Sequence, residues 1–189
     1  MDANPKTAKV RRFEEQVLVH LGNLYRAALR LSRSAPDAED LVQETCLRAF
    51  QALEQLRHPG AAKVWVFAIL RSVFLRQAER RAAQPARASF EDPDDFAVGE
   101  DFFRAAHDEG SPLRAALLQE IREAMLKLPL PYREAIVLAH IGGFSYREMA
   151  QILEVPIGTV MSRLFRGRRM LRASLQEVVA PQPRVEPAP

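Results

Sequence analysis

Apolar residues recur at three- and four-residue intervals over most of the chain and nowhere alternate as a half-buried strand would. Phe13, Val17, Leu21, Leu24, Ala28 and Leu31 fall on one stripe of a first long helix. Asp37 opens a second helix, capping it as Asp-x-x-Asp with Asp40. That helix buries Val42, Cys46, Ala49, Leu53 and Leu56 before Pro59 and Gly60 end it. Residues 61–81 are apolar on most faces as far as Leu75 and basic beyond, the pattern of a central bundle helix with a solvated end. The expected class is all-α.

The carboxy-terminal part is punctuated more sharply. Leu117, Ile121, Met125 and Leu128 mark a helix stopped by the Leu-Pro-Leu-Pro run at 128–131, and a second runs from about Tyr132 to His140. Gly142 and Gly143 supply a left-handed stop. Ser145 with Glu148 forms a capping box for a third helix, and Phe144 with Met149 fits a hydrophobic staple. The third helix ends near Leu153, and Pro156 opens a fourth that continues to about Leu175. A short helix, a tight turn and a longer helix make the helix-turn-helix outline.

The 189 residues, 48% of them hydrophobic, suffice for one compact domain or two small ones. The net charge of +3 conceals a segregation along the chain. Residues 1–81 carry 14 Lys/Arg and 9 Asp/Glu, residues 82–112 carry 2 and 8, and residues 113–189 carry 11 and 7, giving +5, −6 and +4. The acidic bridge contains Pro85, Pro93 and Pro112 and the run Glu91, Asp92, Asp94 and Asp95, so it reads as a linker, with a short helix around Phe102–His107 as one option. The expected organisation is a helical domain at 10–81, the linker at 82–112, a helix-turn-helix domain at 113–176 and a disordered Pro-rich tail at 177–189.

One cysteine and four scattered histidines cannot supply a disulfide framework or a cysteine-histidine zinc site, and no cofactor motif or metal site is expected. The longest unbroken apolar run, Val64–Leu70, falls far short of the roughly 20 residues of a membrane span. No signal-peptide pattern opens the chain, so a soluble, cytoplasmic protein is expected. Catalysis finds little support. Asp37, Glu39, Asp40 and Glu44 crowd one helix without a partner nucleophile, and Cys46 lies on the apolar stripe.

On the fourth helix, Val160, Leu164, Gly167 and Leu171 form one narrow stripe, and Thr159, Ser162, Arg163, Arg166 and Arg169 lie on the opposite side. No acidic residue interrupts the stretch from Val155 to Gln176. Arginine forks suit guanine edges, hydroxyls suit phosphates, and a helix fits the major groove. On the second helix Asp40, Gln43, Glu44, Leu47 and Gln51 form a polar face with one apolar residue, which suits either solvent or a docking helix. Lys63, Arg71, Arg76, Arg80 and Arg81 accompany Trp65, Phe67 and Phe74, which suits either stacking of unpaired bases or core aromatics with peripheral arginines.

The stretch LYRAALRLSRSAPDAEDLVQETCLRAF at 24–50 and the stretch LPLPYREAIVLAHIGGFSYREMAQILEVPIGTVMSRLFRGRRML at 128–171 both resemble extracytoplasmic-function sigma factors of the sigma-70 family. The resemblance implies a promoter-specificity subunit of bacterial RNA polymerase. It places Asp40, Gln43, Glu44 and Leu47 against the coiled coil of the largest core subunit, with the flap region as a second contact. It gives Arg57, His58, Lys63, Trp65, Arg71, Ser72 and Arg76 to the melted minus-ten element. It gives Arg147, Thr159, Ser162, Arg163, Arg166 and Arg169 to the duplex minus-thirty-five element. It further implies an anti-sigma partner, and a place for the acidic linker in the polymerase channel later used by RNA. The chain departs from the common pattern at Ser72, where asparagine is frequent, at Met161, where lysine is frequent, in the loop 55–62, and at Glu154, which replaces a turn glycine. A positive φ at Glu154 would cost about 1 kcal/mol. The rival expectation is a stand-alone helix-turn-helix repressor or activator.

Overall fold

The computed structural model describes residues 5–32, 34–83 and 112–179, and among them every regular element is helical. In chain order these are α1 (Pro5–Gln16), α2 (Leu21–Leu31), α3 (Ala35–Gln51), α4 (Ala62–Ala83), α5 (Pro112–Lys127), α6 (Leu130–Val137), α7 (Tyr146–Leu153) and α8 (Ile157–Val179). Residues 84–111, which include the option of a helix at Phe102–His107, and residues 180–189 lie outside the described residues.

The stripe expected to form one long first helix is divided. A 3-10 turn at Leu18–His20 separates α1 from α2, yet Val17 stays fully buried beside Leu24, Ala27 and Ala28. The turn redirects the chain while the apolar face stays inward. Helix α3 starts before Asp37, because Ser34 is its cap. The Ser34 hydroxyl accepts the Asp37 backbone N–H at 3.2 Å, and Pro36 sits in the first turn. Asp37 instead pairs with Arg81 near the end of α4, which sets α3 and α4 antiparallel. Thr45, not Cys46, takes the fully buried place on α3, and its hydroxyl donates to the Leu41 carbonyl at 2.6 Å, so no donor is stranded. Cys46 is half-buried at the edge of the stripe, and burial raises its thiol pKa, which keeps it protonated and poorly nucleophilic.

In the carboxy-terminal half, α6 starts at Leu130 and is α-helical only to Val137, and a π turn at Leu138–Gly142 completes the segment expected to reach His140. Gly143 has φ +60° and makes the left-handed stop. Gly142 serves a different need: a Cβ there would lie 2.1 Å from the Phe144 ring, so the ring can fold back only over a hydrogen atom. Ser145 and Glu148 form both bonds of the capping box, and these bonds, led by the one from the Ser145 hydroxyl, hold the Glu148 carboxyl below its ordinary pKa. Helix α8 packs on α6 at Gly167, where a Cβ would lie 3.0 Å from the Ile136 side chain and 3.3 Å from the Tyr132 carbonyl. It continues to Val179, past the expected end near Leu175.

The halves share one core. Val66, Phe67, Leu70 and Val73 of α4 are buried, and α4 packs on α2 and α3 and also on α7. Phe144 enters this seam, its ring edge-on to Phe67 with centroids 4.8 Å apart, and the Lys63 ammonium lies 4.8 Å from the Phe144 centroid. Glu134, only 5% exposed, is bonded at 2.9 Å to the Arg71 guanidinium. Arg133 donates to the Leu31 carbonyl at the end of α2, at 3.2 Å, and to the Leu128 carbonyl at 3.0 Å.

Two substitutions test these local features. Glu154 has φ 54° and ψ 44°, a left-handed conformation with a Cβ penalty. Its ion pair, a 3.7 Å contact between the exposed carboxylate and Arg71, is worth little. Glu154→Gly should therefore stabilise the protein by about 1 kcal/mol in urea unfolding, and an unchanged or lower midpoint would contradict the strain. Gly142→Ala should destabilise by about 1–3 kcal/mol, because the Phe144 ring must leave its place. A midpoint equal to the parent's would show that the ring does not need the space.

Candidate functional site

Three surfaces carry the residues singled out in the sequence. The first is a groove between the antiparallel helices α3 and α4, with a cavity volume of about 610 Å³. Asp40, Gln43, Glu44 and Leu47 line its α3 wall. These four residues fall on one face because α3 buries Leu41, Val42, Thr45 and Ala49 on the other. Leu47 is 53% exposed, the one large apolar side chain of α3 left outside. Glu44 is half-buried and joined to Arg48 one turn on. Arg76 and Arg80 of α4 line the opposite wall. The structure thus brings Arg76, expected among the minus-ten residues, beside the docking residues.

The remaining minus-ten residues divide between faces. At about 3.6 residues per turn, Lys63, Phe67 and Arg71 share one side of α4, while Ser72 and Arg76 share another. Lys63 and Arg71 both face the carboxy-terminal half, the former over Phe144 and the latter on Glu134. Ser72 is exposed, Trp65 is half-buried against the core, and Arg57 and His58 are exposed in the loop before the 3-10 turn at Pro59–Ala61. The sequence left Trp65 as either a stacking platform or a core aromatic, and the structure packs it against the core while leaving it partly exposed.

The third surface is the outer side of α7 and α8. Val160 and Leu164 are buried at 0% and 2% exposure, Gly167 is buried and Leu171 is half-buried, as the apolar stripe requires. Ser162, Arg166 and Arg169 are exposed, Thr159 and Arg163 are half-buried at the margin, and Arg147 is exposed on α7. The Ser162 hydroxyl is turned back onto the Thr159 carbonyl at 3.0 Å. An apolar flank not expected from the sequence lies beside this basic stripe: Ile157, Met161 and Phe165, the last 69% exposed. Their four-residue spacing was visible, but sorting the helix into buried-apolar and exposed-charged sides left no place for exposed apolar residues. Next to a polar stripe such side chains can contact thymine methyl groups.

No helix among the described residues is long and apolar enough to cross a membrane. No group of three or more His, Cys, Asp or Glu among them could hold a metal ion.

With the geometry in place, known proteins provide a frame. The family model for sigma-70 region 2 matches residues 17–84, which cover α2 to α4, and the model for sigma-70 region 4 matches residues 118–171, which include the helix-turn-helix. The extracytoplasmic-function sigma factor SigE of Mycolicibacterium smegmatis is 35% identical over 175 residues, covering 90% of this chain but 64% of that protein, so the chain spans under two thirds of this relative. The RNA polymerase sigma-H factor of Pseudomonas aeruginosa is 30% identical over 178 residues, covering 89% of each chain. Among solved structures, the sigma factor RpoE in complex with the anti-sigma factor NepR from Bartonella quintana aligns with a TM-score of 0.67 and 29% identity, over 87% of this chain and 96% of that one. Two matched regions, a relative aligned over 89% of both chains and a shared fold place the chain in the sigma-70 family, among the extracytoplasmic-function RNA polymerase sigma factors.

Proposed function

We propose that this chain is an alternative sigma factor that docks on RNA polymerase core through α3 and reads promoter DNA through its two helical halves. The observation that carries the reading is the division of labour between two helices in one chain. Helix α3 presents acids, an amide and an exposed leucine. Helix α8 presents arginines and hydroxyls with no acid from Val155 to Gln176. A DNA-binding module alone accounts only for α8.

Asp40, Gln43, Glu44 and Leu47 are assigned to the largest-subunit coiled coil, a helical partner that suits a polar face with one central apolar contact. The flap region is the second contact on core. Arg147, Thr159, Ser162, Arg163, Arg166 and Arg169 are assigned to the minus-thirty-five duplex, where guanidiniums reach guanine edges and phosphates. Arg57, His58, Lys63, Trp65, Arg71 and Ser72 are assigned to the melted minus-ten strand. Extruding a base costs a few kcal/mol of stacking, which contacts to these side chains must replace. Lys63 and Arg71 are occupied by Phe144 and Glu134 in the structure described here, so their use on DNA requires the halves to part. An anti-sigma protein is the expected regulator, because the RpoE relative was solved with one. The chain supplies no catalytic group in this reading, since nucleotide addition belongs to the polymerase, and its place of action is the bacterial cytoplasm. The proposed units are the 10–81 domain, the acidic linker at 82–112, the 113–176 domain and the tail.

Charge reversal at the docking face gives the first test. Glu44→Lys should lower affinity for core polymerase at least tenfold in a binding titration, and unchanged affinity would remove α3 from the interface. Arg166→Ala should leave core affinity unchanged while weakening minus-thirty-five binding of the assembled holoenzyme by about 1–3 kcal/mol. Equal loss on every duplex would make Arg166 a phosphate contact instead. Tight, sequence-specific duplex binding by the chain without polymerase, and no binding to core, would favour the stand-alone repressor or activator.

A further inference from the structure

The groove between α3 and α4 holds opposite charges apart. Asp40 and Glu44 stand on one wall and Arg76 and Arg80 on the other. The Asp37–Arg81 ion pair closes the end of the groove nearest these arginines and fixes the register of the two walls. Inside it, Arg76 and Arg80 are both exposed, and among the described residues neither is ion-paired. Arg48 differs, since Glu44 already holds it. Between the walls Leu47 is left uncovered. Two facing walls of opposite sign that do not collapse onto each other leave room for a guest that bridges both.

We infer that Arg76 and Arg80 are docking residues for core polymerase rather than contacts to the melted strand. The occupant is a helix of the core, carrying cations on the edge that meets Asp40 and Glu44, carboxylates on the edge that meets Arg76 and Arg80, and an apolar residue on Leu47. This inference rests on the α3 docking reading and adds the second wall to it. From Asp40 to Leu47 the α3 wall extends about 10 Å, two turns of helix, which matches one helix laid along the groove. A guest charged on both edges explains why the chain keeps arginines where an acidic wall alone would repel acidic helices and accept any basic one. The second wall therefore selects its partner by charge pattern and not by net charge.

The test uses full-length protein and purified core polymerase. The double variant Arg76→Glu, Arg80→Glu should weaken core binding at least tenfold, and Arg76→Lys, Arg80→Lys should restore most of it. At saturating sigma, binding of the assembled holoenzyme to a single-stranded minus-ten oligonucleotide should remain within twofold of the parent. Glu44→Lys, measured beside them, separates the failures. If it weakens core binding and the arginine variant does not, the second wall is overturned and the α3 face stands. If neither weakens it, both are overturned. Unchanged core affinity with lost oligonucleotide binding would return the two arginines to DNA. Arg76→Gln, Arg80→Gln, checked by circular dichroism, replaces the double reversal if that variant does not fold, and should weaken core binding at least threefold; an affinity within twofold would overturn the proposal.

Discussion

Helix α4 is buried from two directions, by α2 and α3 on one side and by α7 on the other, and the placing of the groove and of the residues expected at the minus-ten element on α4 follows from that. Phe67 is its fixed point, 1% exposed and edge-on to Phe144 from the helix-turn-helix half. Truncating such a core aromatic costs about 3–5 kcal/mol, a large part of the stability of a small domain. With one side of α4 given to Phe144 and Glu134 and another to α3, the open remainder carries Ser72 and Arg76 and one wall of the groove.

Electrostatics separates what is structural from what is offered to partners. Glu134 can be buried because Arg71 bonds its carboxylate directly, and an unpaired charge at that depth would be costly. Asp37 is likewise satisfied within the chain, by Arg81. Arg166 and Arg169 on α8 and Arg76 and Arg80 on α4 are among the cations with no ion pair among the described residues, and in the proposed reading they serve nucleic acid or polymerase.

Local signals were legible in the sequence. The capping box at Ser145 and Glu148, the left-handed Gly143 and the stripe of α8 all depend on neighbours within one or two turns, whereas the positive φ at Glu154 was suggested only by the turn glycine that the resemblance places there. The division of the first helix at Leu18–His20 was hidden because Val17 stays buried across the break and the apolar period continues through it. The cap at Ser34 was hidden by Asp37, a residue equally able to cap but drawn away to Arg81. The seam was beyond reach for a different reason. Arg71 and Glu134 lie 63 positions apart, and the role of Gly142 depends on where one ring packs. Lys63 and Arg71 could be recognised as cations near aromatics, but their partners come from tertiary structure. At the candidate site, the acidic face of α3 was readable as a face, whereas the opposing arginines became its neighbours only through the pairing of α3 with α4.

Promoter-specific initiation by polymerase that lacks any other sigma factor tests the central claim most directly. Core polymerase with this chain, given sheared genomic DNA and nucleotides, should produce transcripts with a small set of discrete start sites sharing a minus-thirty-five and a minus-ten element. Core alone should produce none of them. Transcripts with the same ends whether or not the chain is present would contradict the account.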